Sequence, residues 1–94
     1  MKIRFNVDAE SGLPHVYDHG VTEEEVAQVL ARPGEDCPGR RNSRVALGQT
    51  WAGRYLQVVY LKDKASDDLF VVTAYEIRGK ALQAYRRRQR RRQR

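Results

Sequence analysis

Three consecutive strand-like segments joined by short loops constrain the fold of this chain more than any other feature. These segments are residues 43–50, 54–62 and 69–77. Residues 51–53 can form a tight turn between the first two, and residues 63–68 a looser turn between the second and third. Strands joined by short loops pair antiparallel. The sequence therefore predicts a small antiparallel sheet of three to four strands, with residues 2–7 as the fourth.

A helix is predicted over residues 22–31, before these strands. Thr22 and Glu25 have the Thr-x-x-Glu spacing of a capping box, in which each side chain accepts a hydrogen bond from the other residue's backbone N–H. An apolar stripe with helical spacing follows, formed by Val26, Val29 and Leu30. The segment that comes next, residues 34–43, is predicted to be a polar loop.

Two further helices complete the predicted fold. Pro14 can open a short helix that Gly20 closes. Residues 80–90 form a C-terminal helix, whose apolar side consists of Ala81, Leu82, Ala84 and Tyr85. The predicted fold class is therefore α+β, a small antiparallel sheet with two N-terminal helices and a C-terminal helix.

The strand segments also predict a covering layer on each face of the sheet. Residues 55–61 and 69–75 are apolar on both faces rather than alternating. The helix over residues 22–31 can cover one face. The C-terminal segment, a second copy of the chain or a partner protein must cover the other.

The positive charge of the chain is concentrated at its C-terminus. Of the 18 Lys and Arg residues, seven lie in residues 86–94. Residues 1–85 contain the other 11 together with all 12 Asp and Glu, so they carry a net charge of −1, although the whole chain carries +6. We predict one domain over residues 1–85 and an arginine-rich tail over 86–94. Arginine binds phosphates and releases counterions, so RNA is the predicted partner, with Arg86, Arg87 and Arg88 in the interface. The alternative is a solvated tail that binds nothing specific.

Composition excludes several classes of protein and of site. Cys37 is the only cysteine, so an internal disulfide, a cysteine-based zinc site and an iron–sulfur cluster are excluded. Residues 1–6 lack the apolar stretch of a signal peptide, and no run reaches transmembrane length. We therefore predict a cytoplasmic protein that does not bind a membrane.

Neither a metal nor a cofactor is predicted. His15 and His19 would share a face of a helix, with Asp18 between them, and this spacing can hold a metal. The pair lacks a third obvious ligand, so capping or packing is the favoured interpretation of His19, beside Gly20. The chain also lacks a glycine-rich phosphate loop.

Polar side chains cluster in the sequence where the last predicted strand meets the C-terminal helix. RNA supplies its own nucleophile, the 2′-OH, so a protein that cleaves it needs only a base, an acid and cations. In this hypothesis Glu76 is the base, and Lys80 or Tyr85 is the acid. Arginines bind the phosphate, namely Arg44, Arg54 and Arg78. The alternative is that strand ends and helix starts carry charge without a function.

Four segments, in order, resemble the BrnT toxins, a branch of the RelE-like fold. They are His-Gly-Val-Thr-Glu-Glu-Glu-Val at 19–26, Arg-Val-Ala-Leu-Gly at 44–48, Gly-Arg-Tyr-Leu-Gln-Val-Val at 53–59, and Ala-Tyr at 84–85. The resemblance covers residues 15–88. It implies a metal-independent ribonuclease toxin of a type II toxin–antitoxin pair. It also implies a partner, a small DNA-binding antitoxin of the ribbon–helix–helix type.

This chain departs from the family pattern at the end of the last strand. The family typically has Ile-Ser-Ala-Arg-Arg there, whereas residues 72–76 read Val-Thr-Ala-Tyr-Glu. Tyr75 and Glu76 thus stand in place of two arginines, and Arg78 stands where the family has a threonine helix cap.

Overall fold

The computed structural model describes residues 2–92, which form one five-stranded sheet with helices on both of its faces. The elements in chain order are β1 (Ile3–Phe5), a 3₁₀ helix (His15–His19), α1 (Glu23–Ala31), β2 (Glu35–Pro38), β3 (Arg44–Gln49), β4 (Tyr55–Lys62), β5 (Leu69–Glu76) and α2 (Gly79–Arg92). The strand order is β1-β5-β4-β3-β2. Every neighbouring pair is antiparallel except β1 and β5, which are parallel.

The predicted fold class is wrong about the sheet and about one helix. The sheet has five strands and is mixed, because β1 pairs in parallel with β5, far away in the sequence. The predicted polar loop over 34–43 contains β2, which pairs with β3. Of the two predicted N-terminal helices, the first is a five-residue 3₁₀ helix. Counting only strands joined by short loops missed both pairings at the edges of the sheet.

Helix α1 begins as its sequence predicts. The Thr22 hydroxyl accepts a hydrogen bond from the Glu25 backbone N–H at 3.1 Å, and the Glu25 carboxylate accepts one from the Thr22 N–H at 3.0 Å. The capping box is therefore confirmed. Val26 and Val29 are fully buried against the sheet.

Strand alternation gives the sheet one closed face and one partly open face. The inner face, which α1 covers, carries fully buried side chains from the three central strands, namely Ala46, Leu56, Val58, Val71 and Ala74. On this face a Cβ at Gly48 would lie 3.1 Å from a methyl group of Val29, so glycine lets α1 pack closely. The outer face carries half-buried side chains, namely Val45, Leu47, Tyr55, Gln57, Val59 and Thr73.

Candidate nucleic-acid interface

The arginine-rich segment continues a helix. Helix α2 runs from Gly79 to Arg92, so the predicted boundary between domain and tail, at residues 85 and 86, lies inside it. Residues 93 and 94 of the predicted tail lie outside the described residues. The six arginines between residues 86 and 92 therefore occupy positions fixed by a helix, in which side chains four residues apart lie on the same side.

Tyr85 attaches α2 to the sheet. Its side chain is buried, and its ring lies 6.0 Å from that of Tyr55 on the outer face, edge to face. A Cβ at Gly34 would overlap the Tyr85 hydroxyl, so glycine is required beneath this ring. Burial, followed by the nearby Glu35 carboxylate, raises the pKa of Tyr85, which keeps the phenol protonated at neutral pH.

Three polar side chains of α2 reinforce this attachment at the start of β2. Arg88 donates two hydrogen bonds to the Glu35 carboxylate, and the one from Arg88 Nη2 to Glu35 Oε1 is 2.9 Å long. Glu35 is only 8% exposed, so this bidentate ion pair compensates for burying its charge. Gln89 and Arg92 both donate to the Gly34 carbonyl, at 3.1 and 2.8 Å. Arg88, predicted to bind RNA, is therefore engaged in holding the helix.

Four other arginines of α2 remain open to solvent: Arg86, Arg87, Arg90 and Arg91. None of the four makes an ion pair with any residue between 2 and 92. The Arg86 guanidinium lies 4.9 Å from the centre of the Tyr55 ring. A cleft of about 330 Å³ opens here, lined by Gln49, Tyr55, Tyr85, Arg86, Gln89 and Arg90.

An exposed tryptophan lies beside this cleft. Trp51, in the turn between β3 and β4, is 84% exposed, and its backbone N–H donates to the Gln28 side chain at 2.9 Å. A second cleft contains Trp51 and shares Gln49 and Tyr85 with the first. Trp51 and Tyr55 thus border one surface with Arg86 and Arg90, and Arg87 and Arg91 extend it along the solvent side of α2. We call this surface the α2 face.

The predicted catalytic residues divide between the two faces of the sheet. Glu76 pairs in register with Leu56, so its side chain lies on the inner face. Tyr85 packs against Tyr55, which points to the outer face. Lys80 is exposed and makes no ion pair in the part of the chain that the structure describes. The structure therefore does not bring the proposed base next to either proposed acid.

Glu76 instead belongs to an ion-pair cluster on the inner face. It accepts hydrogen bonds from Arg78 at 3.1 Å and from Arg54 at 3.5 Å. Arg54 also contacts Glu25 at 2.8 Å and the Gly20 carbonyl at 3.0 Å. The hydrogen bond from Arg78, and then the charge of Arg54, holds the pKa of Glu76 below its usual range. A carboxylate stabilised in this way is a weak base.

The two arginines proposed to bind phosphate from neighbouring strands lie far apart. Arg44 begins β3 and pairs in register with Tyr60, whereas Arg54 precedes the first residue of β4. They thus lie at opposite ends of this strand pair. Arg44 donates to Asp36 at 2.9 Å, and this hydrogen bond raises the pKa of Arg44. The structure brings Arg54 together with Glu76 and Arg78, and leaves Arg44 outside that cluster.

Sequence reasoning missed Gln49, Trp51 and Tyr55 as members of the α2 face. Trp51 carried one signal, since a large aromatic residue in a two-strand turn has little chance of being buried. Nothing in the sequence around Tyr55 indicated its role, because that role depends on the packing of Tyr85 of α2 against it.

No known family, curated protein or solved structure matches this chain. A function must therefore be argued from its own residues. Among residues 2–92, no helix combines the length and apolar character needed to cross a membrane.

Proposed function

We propose that this protein binds single-stranded RNA on the α2 face. The observation that carries the proposal is that four arginines of α2 are exposed and make no ion pair within residues 2–92, although neighbouring side chains attach the helix to the sheet: Arg86, Arg87, Arg90 and Arg91. Guanidinium groups bind phosphates in a bidentate manner. Two pairs of arginines, each spaced four residues apart on a docked helix, offer the phosphodiester backbone a fixed set of contacts.

Aromatic side chains beside these arginines favour a single strand over a duplex. Unpaired bases stack on exposed aromatic rings, and each stacked base contributes about 1–3 kcal/mol. Trp51 supplies an exposed ring beside this surface, and the half-buried Tyr55 supplies a second when Arg86, which lies over its ring, turns to a phosphate. A duplex has its bases already stacked and would use only the arginines.

Salt dependence of binding tests this proposal. We expect the full chain to bind a fluorescein-labelled single-stranded RNA of about 12 nucleotides, with log K falling linearly as log[salt] rises. Four phosphate contacts give a slope of about −2.8, at about 0.7 per contact for single strands. Fluorescence anisotropy between 50 and 300 mM KCl measures the slope. Absence of binding, or binding that salt does not weaken, would overturn the proposal. Equal affinity for single-stranded and duplex RNA would mean that base stacking on the aromatic rings does not contribute to binding.

A second candidate function is the metal-independent ribonuclease toxin that the BrnT-like segments imply, with a ribbon–helix–helix antitoxin as its partner. The ordered segments between residues 15 and 88 favour it. Arg78 adds support, because its side chain is exposed and can turn from Glu76 towards a phosphate.

Cleavage in the presence of a chelator separates the two functions. If the second candidate is right, purified protein in EDTA releases fragments with 2′,3′-cyclic phosphate ends, and Glu76→Gln slows this at least about 100-fold, the low end for loss of a general base. Glu10→Gln, which neutralises an exposed carboxylate elsewhere, is the control. RNA that is bound but remains intact would reject the enzyme and leave the binding function in place.

A further inference from the structure

We propose that Asp8, His15 and Asp18 bind a first-row divalent transition-metal ion such as Zn²⁺. The three side chains each present one ligand atom, and these atoms all lie within 4.8 Å of one another. Imidazole nitrogen and carboxylate oxygen are both ligands of this class of metal. The site is separate from the α2 face, and the proposal is independent of RNA binding.

A tight turn brings Asp8 next to His15. The Asp8 N–H donates to the Leu13 carbonyl at 3.0 Å, and the Gly12 N–H donates to the Asp8 carbonyl at 2.9 Å. Val7 and Pro14 form a β-bridge that closes the turn. The His15 N–H then donates to the Asn6 carbonyl at 2.8 Å. Backbone hydrogen bonds therefore fix the positions of both residues.

The 3₁₀ helix adds the third ligand. This helix has three residues per turn, so side chains at i and i+3 lie directly above one another. His15 and Asp18 have that spacing. The sequence prediction considered His15 and His19 because an α-helix would align i and i+4. The tighter helix instead pairs the histidine with the aspartate.

The distances suit a metal ion between the three groups. His15 Nδ1 lies 3.0 Å from Asp8 Oδ1 and 3.7 Å from Asp18 Oδ2. Metal–ligand bonds of about 2.0–2.2 Å in tetrahedral geometry place neighbouring ligand atoms about 3.3–3.6 Å apart. The two distances bracket this range, so side-chain adjustments of a few tenths of an ångström complete the site.

The two carboxyl groups supply the electrostatic driving force. One oxygen of each carboxylate lies within 4.8 Å of the other, and these oxygens lie 3.0 and 3.7 Å from His15 Nδ1. Two carboxylates this close repel each other, so a cation between them lowers their electrostatic energy. A divalent ion there neutralises the charge of both groups.

The surroundings leave room to complete the coordination shell. A cleft of about 400 Å³ opens over the three ligands and is also bordered by Glu10 and Ser11. Water can therefore fill the remaining coordination position.

Calorimetric titration of the full chain with ZnCl₂ tests the site. We expect saturable binding of one ion per chain, and at least a tenfold loss of affinity in Asp8→Asn and in His15→Ala, since even outer ligands of metal sites contribute about 10–100-fold. Glu24→Gln and His19→Ala are the matched controls and should retain the affinity within about twofold, because neither residue belongs to the triad and Glu24 lies away from the cleft.

A second measurement needs no variant and so does not depend on a variant that folds. The imidazole resonances of His15 in the wild-type chain should shift on addition of Zn²⁺, with larger changes than those of His19. The proposal would be overturned by any of three results: no saturable binding, unchanged affinity in Asp8→Asn, or His15 resonances that do not shift when Zn²⁺ is added. Loss of affinity in His19→Ala together with retention in Asp8→Asn would assign the ion to the histidine pair instead.

Discussion

Replacing Arg86, Arg87, Arg90 and Arg91 together with glutamine should weaken binding of single-stranded RNA about 200-fold at 0.15 M salt. Each phosphate contact with a single strand contributes a factor of about 4 at this salt concentration through counterion release, and four contacts multiply. The slope of log K against log[salt] should become shallower by about 2.8 units for the same reason. Anisotropy titrations at several salt concentrations measure both changes.

The control for this variant removes the same amount of charge elsewhere. Arg4, Arg40, Lys62 and Lys64 are also exposed and do not border the α2 face. Their joint replacement with glutamine should leave the salt slope within about one unit of wild type, which is roughly one phosphate contact. Equal losses in the two variants would mean that net charge attracts RNA without a defined interface, and the α2 face would have to be abandoned.

Substitution is a cleaner test than deletion of residues 86–94. A deletion also removes Arg88, Gln89 and Arg92, which attach α2 to the sheet. Glu35 would then remain buried without its guanidinium partner, and such a loss destabilises a fold strongly. The deleted chain could lose RNA binding simply because its structure had changed.

The largest effect on stability is expected from Leu56→Ala. Leu56 is fully buried on the inner face near the start of β4, the middle strand, where β3 and β5 flank it and α1 packs against the strand. Truncation of a buried leucine lowers the free energy of unfolding by about 2–5 kcal/mol. In a chain of this size each kcal/mol lowers the melting temperature by about 4–8 °C, so a fall of about 8–40 °C is expected. Urea denaturation and thermal melts followed by circular dichroism measure the two quantities.

Leu61→Ala is the matched control in the same strand. Leu61 is 38% exposed, so its truncation removes less buried surface and should cost less than about 1 kcal/mol. If both variants lost the same stability, the assignment of inner and outer faces in β4 would be wrong.

Sequence patterns predicted the elements whose signals are local. The capping box of Thr22 and Glu25 identified α1, because every group it uses lies within four residues. The segments that became β3, β4 and β5 were identified by composition and by the short loops between them. Residues 2–7 were predicted as a strand, but the parallel pairing of β1 was missed, and β2 was missed altogether. β1 pairs with β5 through residues at opposite ends of the chain, and β2 has the composition Glu-Asp-Cys-Pro, which favours a loop.

The candidate sites were less predictable than the fold, because each joins residues from several elements. The arginine run was obvious, but the sequence could not show which arginines hold the helix and which remain free. That division depends on Glu35 and Gly34, which α2 meets only in three dimensions. Likewise, one ligand of the proposed metal site, Asp8, reaches His15 through a turn that closes between Val7 and Pro14.

The parallel pairing of β1 with β5 has a consequence for how the chain is made. Ile3 is synthesised 66 residues before its partner Leu69. The short first strand therefore stays unpaired until β5 has been made. Because such distant pairings close large loops, they are also slow to form. Until β1 docks, the edge of β5 stays open to other strands.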